Sequence, residues 1–254
     1  MILLHRITTF LIAAIVAAGF GIIIYYPEWF LHVIVIWCVL VPFFIARLLK
    51  WDFKRFSFWV FFSTPVVFLA SSILFFLFLE QDIIKIILAI IVSIGLWLYV
   101  ENLFAFYHLP SAYQAYSLEY LTLVLYILSG FFFTSGAYGG QLFLQLPIWI
   151  PSLAVFCVTL FAAVSVFWVS KISAQIGLRF AVVVAILMTE LYIALAMLPT
   201  SFLTNAAVFA MSFYLLLGLS RAHVLDKLSK KLLKRYVIVA IVLLLIVFGT
   251  ARWV

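Results

Sequence analysis

Long apolar blocks separated by short polar or charged punctuation repeat along the chain from Ile7 to Trp253. A helix needs about 20 mostly apolar residues to cross the hydrocarbon of a bilayer. Blocks near 7–25, 30–49, 57–79, 83–100, 118–145, 150–170, 178–198, 202–220 and 236–252 therefore predict nine spans. None of them alternates polar and apolar residues with the period of two that a spanning barrel strand shows, so the backbone groups must be paired within helices. The expected fold is all-α, a polytopic bundle of about nine transmembrane helices forming a single domain over 1–254. One block, "LEYLTLVLYILSGFFFTSGAYGGQLFLQLP" (118–147), is longer than one span needs and too short for two with a turn between them. It reads as one long or interrupted helix.

Composition agrees with the pattern. With 69% hydrophobic residues, 9% charged and a mean hydropathy of +1.37, the chain cannot be arranged as a soluble globule, and no stretch remains for a soluble domain. Charge then orients the spans, because connections on the cytoplasmic side are enriched in Lys and Arg. Arg6, then Arg47 to Arg55, then Lys171 and Arg179, then Arg221 to Arg235 all fall on one side of a nine-span chain. Only Lys85 and Arg252 of the 15 Lys and Arg fall on the other. The expected topology has the N-terminus inside and the C-terminus outside; cutting the fifth block in two would move the later clusters to the wrong face. Orientation accounts for the net charge of +7, so it does not argue for a nucleic-acid partner.

The opening "MILLHRITTFLIAAIVAAGFG" resembles a signal sequence, but its apolar run is too long and reads as a signal anchor kept as the first span. Cys38 and Cys157 lie inside predicted spans without zinc or CxxC spacing and read as core packing residues. There is no phosphate-binding loop, no HExxH, no GxSxG elbow and no close aspartate pair. No cofactor or metal is expected.

Four features remain. Glu190 is a lone carboxylate in "AVVVAILMTELYIALAML" (181–198). It lies 9 residues before Pro199 and thus about 13 Å from the outer end of its helix. An acid at that depth costs a few kcal/mol and ordinarily faces the bundle interior. It is a candidate ion or polar intramembrane site, with Ser71, Ser72, Thr159, Ser212 and Tyr214 as possible hydrogen-bond partners. The connection "ENLFAFYHLPSAYQAYSLEY" (101–120) brings Glu101, Asn102, His108 and Glu119 to one membrane surface. Glu101, His108 and Glu119 are weak candidates for acid–base chemistry on lipid headgroups, without a recognised ligand spacing. The plainer reading makes Trp97, Tyr99, Tyr107, Tyr113, Tyr116 and Tyr120 an interfacial aromatic belt. In "RAHVLDKLSKKLLKRY" (221–236), Leu225, Leu228 and Leu232 share one helical face. Lys227, Lys230, Lys231, Lys234 and Arg235 cover the rest, which predicts a basic interfacial helix over 221–235 that binds anionic headgroups at the cytoplasmic face. Finally, Gly136 and Gly140 form a GxxxG pair, and Ala13, Ala17 and Gly21 recur every fourth residue. Both predict close helix contacts, including contacts that build homo- or hetero-oligomers.

The scarcity of polar groups inside the spans favours a non-enzymatic membrane-complex subunit, scaffold or lipid-handling protein. A small ion-coupled transporter or channel using Glu190 is the alternative, and a lipid-modifying enzyme with a site around 101–120 the third. Short connections and a compact chain point to a bacterial plasma membrane.

Overall fold

The structure is a computed structural model that describes residues 2–110, 113–114 and 116–250. Among the described residues there is no strand, and nine α-helices follow one another. They are α1 (Ile2–Tyr25), α2 (Phe30–Leu48), α3 (Phe56–Phe76), α4 (Asp82–His108), α5 (Ser117–Leu144), α6 (Trp149–Val169), α7 (Ala174–Ala196), α8 (Phe202–Val224) and α9 (Lys230–Thr250). Each overlaps one predicted span, α4 running on to His108 past the predicted end at 100 and α9 starting at Lys230 before the predicted start at 236. The first eight are long and apolar enough to cross a membrane. The ninth starts with four cations in KKLLKR, and Arg252, beyond its end, lies outside the described residues. The chain is a multi-pass, all-helical integral membrane protein. Its fifth apolar block is one unbroken helix of 28 residues.

Contacts group the chain into two compact units, 1–125 and 126–254, with the boundary inside α5. In the first unit α1 packs on α4 and α2, and α3 packs on α4. The α1–α2 approach depends on Gly19, where a Cβ would come within 2.5 Å of the Trp37 indole. Trp37 is buried there, its ring tilted against Phe20 with centroids 4.8 Å apart, and its indole N–H donates to the Ile15 carbonyl at 3.2 Å. The predicted stripe of Ala13, Ala17 and Gly21 is not this contact. At 100° per residue Gly21 points away from Gly19, and a Cβ on it would meet nothing within 4 Å. Ala17 and Gly21 line an open apolar groove of about 430 Å³ with Ile86, Ala89 and Ser93 of α4.

A second tie in this unit follows from a proline. Pro65 lies inside α3 and has no N–H to give to the Phe61 carbonyl four residues earlier. Tyr99 of α4 supplies the missing donor, its buried hydroxyl donating to that carbonyl at 3.2 Å. Tyr99 is therefore a core residue and not part of the aromatic belt.

In the second unit α7 packs on α6 and α8, and α8 on α9. A Cβ at Gly130 of α5 would stand 3.2 Å from the Phe213 ring of α8, and one at Gly218 of α8 would stand 2.6 Å from the Tyr236 hydroxyl of α9. Gly140, the second glycine of the GxxxG pair, instead faces Leu146 in the connection after its own helix. Tyr126 of α5 donates to Ser165 of α6 at 3.1 Å.

Helices α2, α6 and α8 end alike. Lys50, Lys171 and Asp226 take left-handed backbone conformations, and the next N–H reaches back into the helix: Trp51 to Ala46 at 3.0 Å, Ile172 to Phe167 at 3.1 Å and Lys227 to Ala222 at 2.9 Å. This closure satisfies carbonyls that the last turn leaves unpaired. It also corrects the expectation of one basic helix over 221–235. Residues 221–224 end α8, Asp226 turns the chain, and Ser229 accepts from the Leu232 N–H at 3.2 Å to start α9. Leu225, Leu228 and Leu232 thus do not share one helix face. The cysteine expectation is corrected as well: Cys38 and Cys157 are both exposed, on the outward sides of α2 and α6.

Candidate functional site

The polar atoms of the spans are mostly spent on the fold. Ser72 donates to the Phe68 carbonyl at 2.7 Å and Thr159 to the Val155 carbonyl at 2.7 Å, each four residues back on its own helix. Each hydroxyl proton is thus committed within its own helix, and no hydrogen bond joins either residue to Glu190. The ring of Tyr214 packs on Tyr236 at 5.4 Å.

Glu190 itself does not face the interior. It is exposed on α7, in register with the exposed Ile176, Val183, Ile186, Leu187 and Met197 at spacings of three, four, seven and fourteen. The buried face of the same helix carries Ala181, Val184, Ala185, Met188, Tyr192 and Leu195. Thr189, its neighbour in sequence, donates back to the Ala185 carbonyl at 2.8 Å. Among the described residues no hydrogen bond or ion pair reaches the Glu190 carboxylate. The helix ends at Ala196, six residues on, so the acid lies about 9 Å from that end rather than 13 Å. In a helix of 23 residues, about 34 Å long, that level is more than a full turn inside the helix end.

Opposite this acid, on the inner side of α7, is a polar network that the sequence reading missed. Tyr192 and Tyr138 of α5 stack at 4.4 Å. The Tyr138 hydroxyl donates to the Tyr192 carbonyl at 3.0 Å, and the Tyr192 hydroxyl donates to the Gln141 Oε1 at 3.0 Å. Asn205 of α8 donates its Nδ2 to the Leu195 carbonyl at 3.0 Å, closing the end of α7, and accepts from the Thr200 hydroxyl. Two residues separate Glu190 from Tyr192, or about 200° around the helix. The network therefore holds the inner face of α7 and leaves the acid outside. The polar run "TELY" was its one sequence signal.

The other candidates each have a local setting among the described residues. Glu101 accepts from Thr9 at 2.8 Å and stands 3.9 Å from Arg6, tying the end of α4 to the start of α1. His108, the last residue of α4, stacks on Phe104 at 5.2 Å. Glu119 lies in the first turn of α5, where the helix dipole favours an acid. Among the described residues no group of three or more His, Cys, Asp or Glu comes together as a metal site. Lys227, Lys230, Lys231, Lys234 and Arg235 are all exposed around the α8–α9 turn.

Fold and site together define a helical multi-pass membrane protein with an acid exposed on the outer face of one candidate span, α7. No family model, curated protein or solved structure matches the chain.

Proposed function

We propose that this chain is a non-enzymatic subunit or scaffold of an intramembrane assembly, docked through the outer face of α7. One observation carries the reading. A carboxylate at hydrocarbon depth that turns away from its own bundle costs free energy in lipid unless another helix covers it. The packing of α7 holds Tyr192 inward, so Glu190 cannot rotate into the core without breaking that network. A transporter using Glu190 would need the acid to line a path between helices, and it faces the opposite way. The basic clusters support an orientation with the N-terminus in the cytoplasm, and with it headgroup contacts by the α8–α9 cations.

The test is the size of the particle extracted from native membranes in mild detergent and resolved on a native gel. Wild type should run as a complex well above one 29.0 kDa chain in its detergent belt, and Glu190→Leu as the single chain. A wild type that runs as the single chain, or a complex unchanged by the substitution, would remove the reading.

A further inference from the structure

We infer that the partner covering α7 is a different membrane protein, whose transmembrane helix presents a basic side chain, Lys or Arg, at the level of Glu190. This rests on the assembly reading above and deepens it by naming the chemistry of the partner. The argument is one of charge complementarity in a medium without water. A carboxylate with no partner in its own bundle is best matched in hydrocarbon by a cation that forms both an ion pair and hydrogen bonds with it.

A second copy of this chain does not meet that requirement. Two copies inserted the same way and related by a two-fold axis along the membrane normal, paired through this face, set Glu190 against Glu190. The nearest cation on α7 is Arg179, eleven residues and about 16 Å away along the helix. Lys85, in the first turn of α4, is already held by Asp82 at 3.2 Å. All other described Lys and Arg sit in connections or close to helix ends. Among the described residues no cation of this chain therefore stands ready to match the acid. The flanking surface suits a helix rather than a soluble domain: Val183, Ile186 and Leu187 form an apolar strip beside the acid with no other charge in it. Polar groups set into such strips fix which helices associate and in what register.

The experiment uses the full chain in lipid nanodiscs and a defined probe. The probe is a synthetic helix of about 20 Leu and Ala residues with one Lys at the depth of Glu190. The same helix with Leu, or with Glu, in place of Lys serves for comparison. Association is read by energy transfer between a donor on the chain and an acceptor on the helix. The Lys helix should associate roughly tenfold more strongly than the Leu helix. Glu190→Leu should abolish that preference, and Ile186→Trp, which obstructs the strip while the acid itself is retained, should weaken it. Equal association of the Lys and Leu helices, or a Lys preference that survives Glu190→Leu, overturns the inference. So does a preference for the Glu helix, or bleaching steps showing two copies of this chain held together through Glu190, which would make the partner a second copy. If the native complex still collapses on Glu190→Leu while the Lys helix shows no preference, the basic partner is rejected and the assembly reading stands.

Discussion

At the scale of single residues, the protein shows how a polar group is afforded inside a membrane. The Phe61 carbonyl loses its helical donor to Pro65 and regains one from Tyr99 across the α3–α4 contact. Removing the hydroxyl with Tyr99→Phe takes a buried hydrogen bond from the α3–α4 contact, which should cost about 1–3 kcal/mol. Adding Pro65→Ala restores an N–H four residues downstream. The double variant should then recover part of the loss, and a double-mutant cycle in detergent-solubilised protein should show a coupling beyond additivity. Strict additivity would mean the two residues act independently. Glu190 is the opposite case. It makes no bond within its own bundle, so Glu190→Leu should leave the thermal stability of the isolated chain unchanged or raise it. A large loss of stability would show that the acid has an internal partner.

At the scale of helices, the apolar blocks made the element count legible, because lipid enforces a minimum length and leaves little freedom in where a span ends. Which side of each helix faces in was not legible. Small residues occur on both faces of α1, and only packing distinguishes Gly19 under Trp37 from Gly21 over the open groove. Gly19→Ala should therefore destabilise the first unit by about 1–3 kcal/mol through overpacking. Gly21→Ala should have no such cost and gain slightly from helix propensity. Equal effects of the two, measured by unfolding in detergent, would argue against the indole position. The same limit hid the orientation of Glu190. A lone acid in an apolar run predicts an inward face, and the Tyr138–Tyr192–Gln141 network that turns it outward depends on residues 51 to 54 positions apart. The basic segment failed differently: its 3.6-residue pattern looked continuous, but Asp226 and Ser229 ended one helix and began another.

At the scale of the whole molecule, the continuous α5 matters most for orientation, since a break there would reverse everything after it. Single cysteines near Lys54 and Lys230, in a chain freed of Cys38 and Cys157, should label from one side of sealed vesicles, and one near Asp82 from the other. Opposite-side labelling of 54 and 230 would contradict the alternation of helices.

The central claim, that an acid within the hydrocarbon faces away from its own bundle, has a direct test in the collision of nitroxides placed singly at positions 190 and 192 of the isolated chain in nanodiscs. Position 190 should be open to lipid-soluble oxygen and closed to a water-soluble nickel chelate, while position 192 should be shielded from both. A position 190 as shielded as 192, or one freely reached by the chelate, would contradict the account.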